Sequence, residues 1–376
     1  MRWRSYLYTR THRPEFLWRM VLWILAAGIA LGFVAQRIYQ PETAKPAATK
    51  LEQDIRSNDA WDDLEALAEQ GAWAELWWAI PQVAYFRSDV PGPIILAVIA
   101  GCGWFAFLWQ AMKLPGLRNL RLWCALLAIP LGLLSIWPTL FWSYWQEQVW
   151  NLHESKELIP GVRYYVLSVG LREELAKLLC LLPLMPILLR LRDELTTLLV
   201  SGCVGLGFAI EENVGYFTST AGTSTLGRFL TANPFHITLT ALAGLALYRA
   251  LQNPKGWGSH SLGVFGMLVF AHGLYDAFIV VPALAEYSLI GTILFALVVY
   301  RFFRELRELR SSQGDTISLS ANFLCGVSLL TAATFVYLSA TLGMSIAFDT
   351  LASSVTGLAV MVYLFLREMP ETMVSV

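Results

Sequence analysis

The chain has 376 residues, of which 56% are hydrophobic and only 15% are charged. This composition excludes an ordinary soluble globular protein, because soluble domains carry about 25% charged residues. Acidic and basic residues nearly cancel, 28 against 27, so the charge gives no indication of a nucleic-acid partner. The sequence predicts an all-α, polytopic membrane protein whose main surroundings are the lipid bilayer.

Ten stretches are apolar and long enough to cross a bilayer as a helix, which takes about 20 residues. The first follows a basic N-terminal segment without a small-residue cleavage site, so we expect a retained anchor rather than a removed signal peptide. The five cysteines lie in apolar runs with no C-x-x-C spacing, which favours small apolar side chains over disulfides. The predicted spans are 18–36, 93–112, 121–145, 163–189, 195–217, 234–250, 260–282, 284–303, 321–342 and 345–367.

Positive charge is concentrated in alternate loops of this arrangement. If the N-terminus is cytoplasmic, each loop on the cytoplasmic side carries Lys or Arg, for example Arg190 and Arg192 in one loop and Arg301 and Arg304 in another. Because basic residues are enriched in cytoplasmic loops, we expect a multi-pass protein of the plasma membrane with both termini in the cytoplasm.

The one long polar segment, 37–92, is placed outside the cytoplasm by this orientation. It begins with a Pro/Ala-rich linker and continues as a predicted amphipathic helix with Leu64, Leu67 and Ala68 on one face. The acidic residues of the other face are Asp62, Asp63, Glu65 and Glu69, and the nearby tryptophans are Trp73, Trp77 and Trp78. Both a module that senses or docks a partner and a tethered surface helix fit this pattern.

The fourth predicted span contains ionisable residues. An ionised side chain inside a span costs at least about 2.5–3.5 kcal/mol on insertion scales, so such residues are candidates for function. Glu173, Glu174 and Lys177 lie within one helical turn, where the lysine can reach either carboxylate. A salt-bridged turn that only supports packing is the alternative interpretation.

The fifth span carries Glu211 and Glu212 after a run of small residues that would let a neighbouring helix approach closely. Phe208, Glu212 and Tyr216 recur at four-residue spacing and share one face of the helix. We therefore expect Glu212 to point into the helix bundle. If this span ended earlier, both glutamates would be ordinary interfacial residues.

The sixth and seventh spans contribute histidines. His236 lies just inside the predicted start of the sixth span, where a lone histidine is more often an interface residue than a ligand. His272 and Asp276 lie four residues apart on one face of the seventh span. At this spacing a carboxylate can orient an imidazole or share a metal with it.

The depths of these residues provide an independent test. Counting about 1.5 Å per residue from the outer ends of the spans places Glu174 and His272 about 15 Å deep, and Asp276 and Glu212 about 8 Å deep. His236 falls within a few ångströms of the surface by the same count. All of them lie in the outer half of the membrane, which predicts one polar cavity rather than scattered packing defects.

Carboxylates and imidazoles are zinc ligands, and a further glutamate can act as a general base, so this set fits peptide hydrolysis. The H-E-x-x-H signature and a G-x-S-x-G motif are absent from the sequence. The residues alone leave two mechanisms open, one with a metal and one in which two carboxyl groups activate water.

Four motifs occur in order, each on its own span. They are E-E-x-x-K at Glu173–Lys177, F-x-x-x-E at Phe208–Glu212, the His236 helix with its later Thr240 and Gly244, and H-x-x-x-D at His272–Asp276. Together they resemble the PrsW family of intramembrane proteases, within the wider superfamily of CAAX prenyl proteases and bacteriocin-processing enzymes. The resemblance covers about 160–285 and implies a membrane peptidase, which in bacteria often clips a single-pass anti-sigma factor outside the membrane.

The resemblance also implies roles for the buried residues. The catalytic residues would be Glu173, Glu174, Lys177, Glu212, His272 and Asp276, and those that position water or a metal would be Glu212, His236 and His272. Glu173 and Glu174 would supply the base, Asp276 would support the others, and zinc is the candidate metal. The expected substrate is a membrane-anchored protein, and the expected location is the bacterial inner membrane.

Five parts of the chain follow from these assignments. They are an N-terminal stretch with the first anchor (1–36), the acidic outer segment (37–92), two spans and an outer loop (93–160), a PrsW-like catalytic core (161–305) and a C-terminal two-helix hairpin (306–376).

A transporter or channel is the alternative function, and it would spread polar groups through both halves of the bilayer, often in paired repeats. A non-catalytic scaffold is a further alternative, and a peptidase of prenylated proteins would act on the cytoplasmic side.

Overall fold

A computed structural model describes residues 2–39, 59–85, 90–310 and 317–369. These residues form helices joined by short loops, and no strand occurs among them. The predicted all-α polytopic fold is therefore confirmed. The predicted Pro/Ala-rich linker, 41–50, and the first part of the predicted helix that follows it, 51–58, lie outside the described residues.

The N-terminal part of the described chain is built from seven α-helices. They are α1 (Arg2–Thr11), α2 (Pro14–Tyr39), α3 (Asp59–Glu69), α4 (Trp73–Ala84), α5 (Pro91–Ala111), α6 (Leu120–Leu134) and α7 (Ile136–Trp150). Helices α6 and α7 adjoin at Ser135 and together form one membrane-length run. The outer segment therefore forms a hairpin, α3–α4, instead of the single helix that the sequence predicts, because Gly71 adopts a positive φ of 68° between them.

The remaining helices follow in chain order. They are α8 (Leu158–Tyr164), α9 (Leu171–Leu181), α10 (Met185–Leu191), α11 (Glu194–Ser219), α12 (Thr225–Leu230), α13 (Ala232–Gln252), α14 (Pro254–Val280), α15 (Ser288–Leu309), α16 (Leu319–Thr341) and α17 (Met344–Glu368). A π-helical turn at Tyr165–Gly170 joins α8 to α9. Short 3-10 turns at Leu182–Leu184 and Pro282–Tyr287 join α9 to α10 and α14 to α15.

Nine helical runs among the described residues are long and apolar enough to cross a membrane. The predicted span at 163–189 is not one of them. Its sequence is helical, but the π-helical turn and a 3-10 turn interrupt it, and its charged residues lower its hydropathy. The ten predicted spans thus correspond to nine apolar runs and one interrupted helix that carries ionisable groups.

Helix α11 is the central helix of the bundle, because it packs against α5, α6 and α13. Its glycines allow backbone contacts that a side chain would block. A methyl group on Gly205 would lie 2.2 Å from the carbonyl oxygen of His236, and one on Gly207 would lie 2.0 Å from that of Ile129. The predicted close approach along this small-residue face is confirmed.

The flanking helices enclose this centre. Helix α2 packs along α16, and α16 also contacts α5 and α17. At the end of the bundle that carries the basic loops, Arg249 holds Glu194 with two hydrogen bonds and also contacts Glu305. The five cysteines are free, as the sequence predicts.

The α3–α4 hairpin rests on α7 through its apolar face. Leu64, Leu76 and Ile80 share one buried cluster with Ile136 of α7 and Phe208 of α11. The indole N–H of Trp137 donates to the carbonyl oxygen of Trp77 over 2.7 Å. Leu64 and Ala68 are buried, so the predicted two-faced pattern is confirmed. The exposed acidic residues of the other face are Asp62, Asp63, Glu65 and Glu69.

Candidate active site at the centre of the bundle

Helices α9, α11, α13 and α14 converge on one polar cluster. Helix α9 supplies Glu173, Glu174 and Lys177, α11 supplies Glu212, α13 supplies His236, and α14 supplies His272 and Asp276. The structure brings together all seven of the ionisable residues that the sequence singles out. Contacts of 2.8 to 3.6 Å connect them.

Lys177 lies at the middle of the cluster and is fully buried. Its ammonium donates to Glu174 Oε1 over 2.8 Å and to His236 Nδ1 over 2.9 Å, and it lies 3.4 Å from Glu173 Oε2. It also lies 3.9 Å from the centre of the Phe208 ring, a cation–π distance. One ammonium therefore binds groups from α9 and α13 and compensates part of the carboxylate charge.

Glu174 fixes the second imidazole. Its Oε1 atom accepts a hydrogen bond from His272 Nδ1 over 2.8 Å, and its side chain is fully buried. Because Nδ1 donates to this carboxylate, Nε2 of a neutral His272 is left as an acceptor. That nitrogen lies 3.6 Å from Glu173 Oε2 and 3.4 Å from Asp276 Oδ2.

His236 is held from both sides. Its Nε2 atom lies 2.9 Å from Glu212 Oε2, and its Nδ1 atom accepts from Lys177. Glu212 is in turn held by Arg228, whose Nη2 donates to the same oxygen over 2.6 Å. The arginine also donates from Nε to Asn213 and stacks over the Tyr216 ring at 3.6 Å.

His236 is predicted near the surface of the membrane, and the structure buries its side chain inside the helix bundle. Its ring centre lies 5.4 Å from that of His272, well inside the bundle. The sequence count began the sixth span near Pro234, whereas the helical run starts at Thr225. Helix α12 and the first turn of α13 therefore precede His236 in this run.

Three of these residues form a cluster with metal-ligand geometry. One potential ligand atom from each of Glu173, His236 and His272 lies within 4.8 Å of the others. The carboxylate of this cluster is Glu173. In the set that the sequence predicts, Glu212 accompanies the two histidines instead. The structural reason is that Glu212 Oε2 is engaged by His236 and Arg228, so Glu212 lies behind the imidazole.

The π-helical turn explains how α9 approaches α14. A methyl group on Gly273 would lie 2.3 Å from the carbonyl oxygen of Tyr165, and one on Gly170 would lie 2.5 Å from that of Val269. These two backbones are therefore in direct contact, one residue away from His272. π-turns inside α-helices are frequent at functional sites.

A cavity of about 310 Å³ opens beside the cluster, between α7, α9 and α11. Glu173 and Glu212 line it together with Arg172, Phe208 and Tyr216. The side chains of Glu173 and Glu212 are 11% and 24% exposed, whereas that of Glu174 is 0% exposed. Glu173 is thus the member of the acidic pair that a molecule in the cavity can reach.

Several residues of this network are not among the predicted site residues. Arg228 belongs to a polar connection in the predicted topology, and only α12 brings it over Glu212. Asn213 and Asn233 are buried and hydrogen-bonded to each other over 2.6 Å. This pair could have been identified as a candidate from the sequence, since polar residues in membrane spans are rare.

Comparison with known proteins provides the family. Residues 120–302 match the family model described as PrsW family intramembrane metalloprotease. Searches of curated proteins and of solved structures found no match. The matched region includes the whole polar cluster and extends beyond the 160–285 on which the sequence motifs lie. Residues 120–302 therefore belong to the PrsW family, and the protein is a multi-pass intramembrane protease.

Proposed function

We propose that the protein is an endopeptidase that cleaves membrane-anchored proteins near the extracytoplasmic face of the bacterial inner membrane. Its substrate would be a single-pass protein of the anti-sigma-factor type, and both termini of the chain would be cytoplasmic. The observation that carries this proposal is the cluster of buried carboxylates and imidazoles beside a cavity that reaches Glu173. Peptide hydrolysis needs a base, a polarising group and access for water, and the site contains candidates for each.

The residues of the cluster fit a bound metal ion. One carboxylate and two imidazoles, as in Glu173, His236 and His272, form a His₂Glu donor set of the kind found in catalytic zinc sites. His272 donates its Nδ1 proton to a carboxylate, as metal-bound histidines usually do. The ammonium of Lys177 contacts two of the three donor residues, His236 and Glu173. The donor atoms of these two residues therefore already lie around one positive charge.

When bound, a zinc ion would act as a Lewis acid that polarises the scissile carbonyl and activates a water molecule. The other contributions come from the chain itself. Glu174 keeps His272 in one tautomer and orientation, and Glu212 does the same for His236. Glu173 faces the cavity and would bind either the ion or the attacking water. Asp276 Oδ2 lies 3.4 Å from Nε2 of His272 and would support this imidazole.

Two features support an extracytoplasmic site. The cavity is lined by Gly215, Tyr216 and Ser219, which lie at the C-terminal end of α11. Positive charge in the loop before α11 indicates that this helix starts in the cytoplasm. The α3–α4 hairpin shares a packed cluster with two further lining residues, Ile136 and Phe208, so the polar outer segment lies at the same end of the bundle.

The proposal is tested by determining where the protein cleaves a membrane-anchored reporter. Single-pass reporter proteins with different extracytoplasmic stalks would be co-expressed with the protein, and the products would be identified by mass spectrometry. We expect cleavage in the outer third of the reporter span or in the adjoining stalk. A cut on the cytoplasmic side would contradict the assigned face, and stable reporters in every case would contradict the endopeptidase assignment.

The contact between α14 and the π-helical turn provides a second prediction. In Gly273→Ala the new methyl group meets backbone atoms, which cannot move aside as a side chain can. We expect His272 to shift relative to Glu174, a loss of activity of at least tenfold, and a destabilisation of about 1–3 kcal/mol.

The control is Gly266→Ala on the same helix, where the added methyl group meets no described atom within 4 Å apart from the local helix backbone. Cleavage rate and thermal unfolding in detergent would be measured for both variants. Equal behaviour of the two proteins would show that the close backbone contact does not position the site.

A further inference from the structure

Arg172 is the basic residue that lines the cavity beside the active site. Its Nη1 atom donates to Ser168 Oγ over 2.7 Å, and Ser168 donates to Gln146 Oε1 over 2.8 Å. Ser168 and Gln146 are buried. The Tyr164 ring lies 5.9 Å from the guanidinium carbon. These contacts fix the guanidinium through one of its nitrogens.

The other edge of this guanidinium is unpaired among the described residues. Nε of Arg172 is shielded from solvent and has no hydrogen-bond partner, and within the described ranges no carboxylate lies within salt-bridge distance of the side chain. A buried donor without a partner costs about 1–3 kcal/mol. An arginine within a span normally pairs with another group or marks a functional pathway.

Two other arginines of the chain show what this edge usually binds. Arg249 uses Nε and Nη2 to hold the two carboxylate oxygens of Glu194. Arg228 uses the same two nitrogens to hold the amide oxygen of Asn213 and the carboxylate of Glu212. The Nε/Nη2 edge of a guanidinium matches a carboxylate in a two-bond geometry.

We propose that Arg172 is a specificity-determining residue that binds an acidic side chain of the substrate close to the scissile bond. The inference rests on the proposed active site, because Arg172 immediately precedes Glu173 and lines the same cavity. Glu147 interacts electrostatically with the arginine but does not form a salt bridge with it among the described residues. Two of the acidic residues that line the cavity are held by other basic side chains. Glu173 is paired with Lys177, and Glu212 is paired with Arg228.

The test uses a reporter that the wild-type protein cleaves. Asp and Asn, which have the same shape, would be placed in turn at each of the positions flanking the cut, and kcat/KM would be measured in detergent. We expect one position at which Asp is preferred over Asn by roughly 10–100-fold, the range of a hydrogen bond to a charged group. In Arg172→Gln the ratio should fall to about one. Arg172→Lys should retain part of the preference, because lysine keeps the positive charge but cannot form the two-bond geometry of the guanidinium.

The matched control is Arg163→Gln, an exposed arginine on the preceding helix, which should keep the wild-type ratio. The ratio of kcat/KM for the Asp and Asn reporters does not change when part of the protein is unfolded. Arg172→Lys removes the same edge of the guanidinium with a smaller change of the side chain. A wild-type enzyme that cleaves without preferring Asp at any position would overturn the proposal, as would a preference that survives in Arg172→Gln. Failure of the wild type to cleave any reporter would instead contradict the proposed function itself.

Discussion

Replacement of Glu174 by Gln is expected to reduce peptidase activity by at least about a thousandfold while the protein remains folded. Glu174 Oε1 receives hydrogen bonds from both Lys177 and His272. A glutamine at this position keeps the volume but loses the charge that both donors require, and its NH₂ group can face them as a donor. Since each charge-assisted bond contributes about 1.5–3 kcal/mol, both the lysine and the imidazole would lose their orientation.

The measurement is the initial rate of reporter cleavage by purified protein, together with size-exclusion profiles and thermal unfolding in detergent. Glu69→Gln is the matched control, because this glutamate is exposed on the α3–α4 hairpin and outside the cluster. We expect the control to retain wild-type activity. Activity near the wild-type level in a well-folded Glu174→Gln protein would remove Glu174, and with it the arrangement of His272, from the proposed mechanism.

Replacement of His272 or His236 by Ala is expected to remove both bound metal and activity. Each variant deletes one of the three donors whose ligand atoms lie within 4.8 Å of one another. Catalytic zinc sites usually have three protein ligands, so the loss of one should lower the bound metal from near one equivalent to less than about a tenth. Metal content would be measured by inductively coupled plasma mass spectrometry, and activity before and after chelation.

A comparison of two glutamates separates the two possible ligand sets. If Glu173 is the carboxylate ligand, Glu173→Gln should lose the metal. Glu212→Gln should keep most of it and lose about 10–100-fold in activity, because outer partners of ligands have effects of that size. The reverse result would favour the set that the sequence predicts, with Glu212 as ligand. His153→Ala is the control, since this exposed histidine bonds only to Asn151 among the described residues.

A different outcome would identify the other mechanism. Full activity without bound metal, retained under chelation and lost in Glu174→Gln, would show that the carboxyl groups activate water directly. Zinc would then have no catalytic role in this protein. The family is described as a metalloprotease, so the metal-dependent result is the expected one.

The sequence by itself determined the class of the fold and the identity of the polar residues. Long apolar stretches predict membrane helices because lipid leaves no partner for an unbonded backbone. Charged residues such as Glu173 and Lys177 are candidates for function because burying a charge in a span is costly. The two-faced pattern around Leu64 and Ala68 was likewise readable, since it follows from helical periodicity.

Only the tertiary structure decided which of these residues touch. The sequence predicts Glu212 as the carboxylate ligand, whereas Glu173 lies with the two histidines in the structure. The difference arises because Arg228, from the short helix α12, binds Glu212. The depth of His236 depends on where its helical run begins, and helix ends are poorly defined by apolar pattern alone. The unpaired Nε atom of Arg172 is also a tertiary property, because it depends on which side chains of the described helices reach it. Helical periodicity assigns each side chain to one face of its helix, but it does not show which faces meet. In membranes that depends on small residues and interhelical hydrogen bonds rather than on hydrophobicity.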